Sequence, residues 1–486
     1  MADEVGQPDS VARKASRAFG WSFGNTLASR LGTLAIGVAL ARILGPDEFG
    51  VFAIATVTLL AILSFNELGV SLAVIRWRED PAKIAPTINT VSVVSSAVLM
   101  SALIIAAPWL ATALGDVEAT PVVQVMAVSV LINGLVATPA AILQREFMQK
   151  ERTIADQVNT WLGAGLSIVL ALFGWGAMSL AVGRVVASIV FAILLWRWSP
   201  VPYRFGWDRT LIGRLMRFGL PLAASSVVLF AASYADQIII GATLGAQALG
   251  FYVLAFNLAS WPLTIFSMPL RAVAPAAFSA IKHDSPRMSR NYARIFALLM
   301  SVALPACLAI SGASDPVIRF VYGAAWSDSG PILMWLALLI AFKIGFELAY
   351  DYLVVLGKSG WIFATQAVSL VTAVPAMLLA ASPFGAPGVA AAQVAVAAVI
   401  LMPIYAAQLH RMGVRVATSV RAVLLPTCVG IVVWVASRLF AESVPIAFVA
   451  AALAALVSVL GIAVAVYPRR DTVRLFRSSM SGGGAS

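Results

Sequence analysis

Eight ionisable side chains stand inside stretches of sequence that are otherwise apolar. Arg30, Arg184, Arg271 and Lys343 are cations, and Glu67, Asp236, Glu347 and Asp351 are anions. An ionised group at the centre of a membrane helix costs about 2.5–3.5 kcal/mol even on the lenient insertion scale, so each must face a bundle interior or a wet cavity. Glu67 lies near one end of its apolar run, within reach of an interface. Lys343, Glu347 and Asp351 recur every four residues and form one stripe over about two helical turns. Lys343 and Glu347 are spaced to pair within the helix, although lysine before glutamate is the weaker order, and Asp351 then needs a cation from elsewhere. Thr26, Arg30 and Thr33 share a face with Asn25 beside it, and Pro269 and Pro275 flank Arg271, which predicts a kink there.

The chemistry these types offer is recognition rather than bond-making. A guanidinium fork holds phosphate oxygens bidentately. Asn25, Arg30, Arg184, Arg271 and Lys343 are therefore candidate binding residues for an anionic head group such as a phosphate or pyrophosphate. Glu67, Asp236, Glu347 and Asp351 would balance that charge or bind a coupling proton or sodium ion. The competing reading is a set of interhelical salt bridges that only fixes packing. Cys307 and Cys428 both fall in apolar runs, and His283 and His410 stand apart in loops. No catalytic residue, metal site or cofactor is predicted.

The elements that must position these residues are membrane helices. The chain has 486 residues, 61% hydrophobic and 11% charged, with a mean hydropathy of +0.93. A soluble domain carries about a quarter charged residues, so water is not the main solvent here. Strand-like alternation is missing. Apolar runs of about 20 residues, the length of a membrane-crossing helix, predict an all-α polytopic protein of about fourteen transmembrane helices. The predicted spans are 18–43, 50–74, 87–112, 121–143, 154–173, 176–198, 218–241, 249–280, 293–313, 331–356, 361–381, 385–408, 420–440 and 445–467. The first follows Arg13, Lys14 and Arg17 without a suitable cleavage site and reads as a retained helix.

Charge orients the spans. Of the 33 Lys and Arg residues, 26 fall on one set of alternate loops and only Arg42, Arg319 and Arg438 on the other. This bias places both termini in the cytoplasm. It also accounts for the net charge of +11 without a nucleic-acid partner. The opposite loops are short, so the work is done within the bilayer.

A repeat organises the chain. Leu44-Gly45-Pro46-Asp47-Glu48-Phe49-Gly50 and Leu244-Gly245-Ala246-Gln247-Ala248-Leu249-Gly250 share the leucine and both glycines at one offset, and Ala55 matches Ala255 beyond them. Pro121 and Ala127 echo Pro331 and Ala337 more weakly. Six spans separate the copies, which predicts two parallel six-helix lobes, 1–198 and 218–410. A cytoplasmic linker joins them at 199–217, and two further helices and a tail follow at 411–486. Facing lobes suit alternating access with a site near the midplane.

Ala41-Arg42-Ile43-Leu44-Gly45-Pro46-Asp47-Glu48-Phe49-Gly50 resembles the first-loop signature of the polysaccharide transporters. These are the O-antigen-type oligosaccharide flippases of the multidrug/oligosaccharidyl-lipid/polysaccharide exporter superfamily. Leu143-Gln144-Arg145-Glu146-Phe147, Phe218-Gly219-Leu220-Pro221, Ala235-Asp236-Gln237 and Pro269-Leu270-Arg271 are similar to elements recurring in that family. The resemblance implies a non-enzymatic flippase of the bacterial inner membrane. It would move a polyprenyl-(pyro)phosphate-linked oligosaccharide from the cytoplasmic to the outer leaflet for polysaccharide biosynthesis, alongside a polysaccharide polymerase and glycosyltransferases. It also implies a cationic cavity, with Arg30 and Arg271 as its candidate residues, whereas Arg184 stands where a neutral polar residue is expected. The rival readings are a cation-coupled multidrug exporter of the same superfamily and a membrane glycosyltransferase or polymerase. The exporter favours acids in the cavity, and the enzyme needs a long outward catalytic loop.

Overall fold

A computed structural model describes residues 8–66, 74–75, 77, 79–264 and 285–470, without the side chains of 8–31, 33–34, 66, 285–287, 416 and 418. The described residues are helical throughout, with no strand among them. The helices are α1 (Pro8–Asn66), α2 (Pro81–Ala113), α3 (Thr120–Arg145), α4 (Gln149–Leu172), α5 (Ala177–Trp198), α6 (Arg209–Leu244) and α7 (Ala246–Ala259). They continue as α8 (Ser285–Gly312), the short α9 (Ser314–Val321), α10 (Ser329–Val355), α11 (Ser359–Val396), α12 (Met402–Arg411), α13 (Val416–Ser443) and α14 (Ala447–Val466).

Every predicted span coincides with helix over its described part. Among the described residues, 10 stretches are long and apolar enough to cross a membrane. Two of them, Ala35–Phe65 and Ser359–Arg411, each hold two predicted spans, divided at Gly45 and Gly385 where the backbone leaves helical geometry. α4 is more polar, with Lys150, Glu151, Arg152 and Asp156 in its first half, and α7 is short as described. Mid-helix side chains such as Val98, Ile105, Phe363 and Leu379 are exposed. Lipid solvates such faces, and water does not. The chain is a multi-pass membrane protein.

Caps place the helix starts. The Asp80 carboxylate accepts the Ala82 amide at 2.9 Å ahead of Pro81, and Asp208 accepts the amides of Thr210 and Leu211 at 2.9 and 3.3 Å. Each satisfies amides that the first turn leaves without a helical partner. Gly163 of the small-residue run in α4 seats against Ala187 and Gly183 of α5, whereas Gly165 faces open space.

The chain forms two compact units, residues 35–253 with 381–386, and residues 1–34, 254–380 and 387–486. In the first unit the predicted repeat is visible in the backbone. Gly45 has φ 75° and ψ 178°, and Gly245 has φ 88° and ψ 177°. Both sit in the left-handed half of conformational space, which only glycine enters freely. The two turns lie against each other, and at that end Gly115 also abuts Gly241 and Gly245. At the opposite end, Arg145 donates to the carbonyls of Val74 and Glu79, and the stretch after α5 hydrogen-bonds α2 through Asn89, Thr90 and Pro86. Loops predicted to share a membrane face therefore meet. In the second unit α13 packs on α8 through glycines, Gly312 against the Trp434 carbonyl and Gly430 against Leu308, and Gly461 of α14 seats against Val433 of α13 and Pro305 of α8.

Candidate functional site

Four of the nine predicted site residues, Asn25, Arg30, Glu67 and Arg271, lie outside the described residues or side chains. So does the kink expected at Pro269 and Pro275. The other five divide between the units.

In the second unit α10 carries the charged stripe through an otherwise apolar helix. Lys343 lies near its middle, half-buried, and its amine stands 5.4 Å from the centre of the Phe256 ring. It makes no ion pair with a described residue, so the expected pairing with Glu347 on the same helix does not form. The Phe256 ring presents its negative face to the ammonium, which the apolar helix cannot solvate. Glu347 is half-buried and Asp351 is buried, and each has interactions of its own.

Aromatic side chains surround this stretch, which the charge pattern alone did not reveal. Tyr292 stacks on Phe296 at 5.8 Å and meets Tyr352 edge-on at 5.0 Å, while Phe346 stacks on Tyr405 at 4.9 Å. Stacked rings with few polar groups are found both in tightly packed interiors and in the linings of small-ligand sites. The signal available beforehand was Phe342 and Phe346 flanking Lys343 on α10.

In the first unit Asp236 is buried in α6. Its carboxylate accepts the Tyr252 hydroxyl at 2.6 Å and the Gln237 amide at 2.9 Å. Tyr252, itself fully buried, is the partner that sequence reading missed, because it lies across the turn on α7. A buried carboxylate held by a phenol is satisfied as an acceptor. Arg184 on α5 is exposed and makes no hydrogen bond or ion pair with a described residue. Among the described residues no group of acids, histidines and cysteines is arranged to hold a metal ion.

The chain is a helical multi-pass membrane protein with charged residues inside its spans, and solved structures share its fold. The lipid II flippase MurJ in an inward closed conformation matches with a TM-score of 0.75 at 13% identity, over 93% of this chain and 99% of that one. An inward-facing multidrug resistance MATE transporter of the MOP superfamily matches with a TM-score of 0.60 at 17% identity, over 79% and 95%. A family model of polysaccharide biosynthesis proteins matches residues 39–331, and the chain belongs to that family. The succinoglycan biosynthesis transport protein ExoT of Rhizobium meliloti is 24% identical over 68% of this chain and 67% of its own. The lipopolysaccharide biosynthesis protein WzxC of Escherichia coli is 22% identical over 62% of this chain and 61% of its own. The chain thus aligns with about two thirds or less of each relative's length.

Proposed function

We propose that this protein is a flippase of the cytoplasmic membrane. It carries a polyprenyl-(pyro)phosphate-linked oligosaccharide from the inner to the outer leaflet by alternating access of two lobes, 1–198 and 218–410, joined at 199–217, with both termini cytoplasmic. The family, the transport-named relative ExoT and the MurJ-like fold support this reading. The observation that carries it is Lys343, a half-buried cation near the middle of an apolar helix with an aromatic ring beside it and no described carboxylate paired to it. A cation at that depth with no described carboxylate beside it is stabilised by water or by an anionic ligand, and a sugar-linked phosphate supplies such an anion. Arg30, Arg184 and Arg271, with Asn25, are proposed to serve the same head group. Asp236 with Tyr252, and Glu67, Glu347 and Asp351, are the proposed sites for a coupling proton or sodium ion. A polymerase and glycosyltransferases would act before and after the transfer.

The test is a deletion strain complemented with Lys343→Ala and Lys343→Arg. Lipid-linked oligosaccharide is expected to accumulate on the cytoplasmic side with alanine and to clear with arginine, at equal protein abundance in the membrane. Clearance by the alanine variant at the wild-type rate would remove Lys343 from the mechanism.

A further inference from the structure

The two repeat turns touch in a reciprocal way. A Cβ on Gly50 would overlap the Ala246 carbonyl, and a Cβ on Gly250 would come within 3.0 Å of the Pro46 carbonyl oxygen and the Gly50 nitrogen. Position 46 corresponds to 246 and 50 to 250, so the contact from i to j recurs from j to i, as in an isologous dimer interface. On the axis of that pair, Gln247 donates its side-chain amide to the Asp47 carboxylate at 2.8 Å, two positions 200 residues apart.

The turns differ in how they are anchored elsewhere. The Glu48 carboxylate accepts the Ala177 amide at 2.6 Å, at the start of α5, where a carboxylate meets the positive end of the helix dipole. Gly176 leaves room for it, since a Cβ there would overlap Glu48. The repeat equivalent of Glu48 is Ala248, which has no acceptor to offer. The first turn is therefore tied to α5 by a charged hydrogen bond. Ala248 offers no side-chain acceptor for such a tie, and among the described residues the second turn meets the first turn and Gly115.

We infer that these turns form a clasp on the Lys/Arg-poor face in which 44–50 is the fixed jaw, held by Glu48 as a positioning residue, and 244–250 is the moving jaw. The inference rests on the transport reading for its purpose, but its geometry does not. The contacts described across the clasp are the glycine seats and one exposed neutral-to-charged hydrogen bond. The bond from Glu48 to α5 stays intact.

Two cysteine pairs test it in a Cys307→Ala, Cys428→Ala background, each bridged by a short reducible bifunctional thiol reagent. Linking Asp47→Cys to Gln247→Cys is expected to stop clearance of lipid-linked oligosaccharide until reductant is added. Linking Glu48→Cys to Ala177→Cys is expected to leave clearance unchanged. Clearance with the first link in place overturns the clasp, and arrest by the second overturns the fixed jaw. A substrate-free readout separates this from the transport reading. Leu249→Cys, buried under the second turn, is labelled with a membrane-impermeant maleimide, with Ala246→Cys as an alternative reporter should that variant not fold. Gln247→Glu, which sets a second carboxylate against Asp47, is expected to raise labelling about twofold to fivefold. Adding Asp47→Asn is expected to restore the starting rate. Unchanged labelling in Gln247→Glu overturns the clasp even where transport proceeds, and the expected labelling in a strain that moves no saccharide leaves the clasp standing without its proposed cargo.

Discussion

The two ends of the first unit are closed by different means. At the Lys/Arg-poor end, three turns meet through backbone, with Gly50, Gly115 and Gly250 each seated where a methyl group would strike a neighbour's main chain. At the Lys/Arg-rich end long side chains add to a backbone seat, where Gly206 lies on Pro86 and its amide donates to the Pro86 carbonyl at 3.0 Å. Arg145 reaches two carbonyls at 2.8 and 3.0 Å, and Arg214 forks onto the Glu79 carboxylate while lying 3.9 Å above the Trp77 ring. Backbone seats admit almost no change in shape, whereas arginines with rotatable stems can re-form their bonds after a displacement. The first end therefore loses its contacts on a small displacement, whereas the arginine contacts of the second can follow one.

The largest effect that sharpens this contrast is expected from Gly50→Val. The neighbouring atoms are main chain and cannot swing aside, so overpacking should cost about 3 kcal/mol, read as a fall in thermal stability in detergent. Gly37 on the same helix faces open space, and Gly37→Ala should be neutral or stabilising by up to about 1 kcal/mol through helix propensity. Equal losses in the two variants would show that the seat at Gly50 is not special.

A middle-sized effect is expected at Glu48. Glu48→Ala removes the acceptor for the α5 amide and should cost about 1 kcal/mol, the usual value of a helix N-terminal cap. Glu48→Gln, which keeps an acceptor but loses the charge, should recover roughly half. A loss as large as that of Gly50→Val would mean that the fixed jaw depends on its anchor more than on its seat.

Much of this arrangement is legible from the residues because membrane helices announce themselves by length and hydropathy, and because the repeat places identical residue types in identical turns. Gly45 and Gly245 match in sequence and adopt the same backbone angles for one reason, the absence of a Cβ. The partners of the charged residues are less legible. Spacing along α10 pointed Lys343 at Glu347, and the lysine turned instead to Phe256, since local periodicity says which residues share a face but not what a neighbouring helix presents to it. Tyr252 beside Asp236 and Ala177 beside Glu48 were hidden for the same reason: both are contacts between elements, set by packing.

The smallest effect is expected at the arginine-closed end, and its pH dependence follows from chemistry. The hydrogen bond and charge of Arg214 hold the Glu79 carboxyl below its ordinary value of 4.5. A carboxyl whose value is depressed on folding contributes stability above its unfolded value and loses it as pH falls through the folded one. Both groups are exposed to solvent, so the pair is screened by salt and its contribution is small. Glu79→Gln is accordingly expected to unfold slightly below the wild type at neutral pH and low salt. The gap should close in molar salt, and it should also close when the pH is taken well below 4.5, where the native carboxyl is neutral as well. A gap that survives both treatments would place the stabilisation in packing against Trp77 rather than in charge. This end would then be a shape-specific closure like the other, and the contrast between the two would fail.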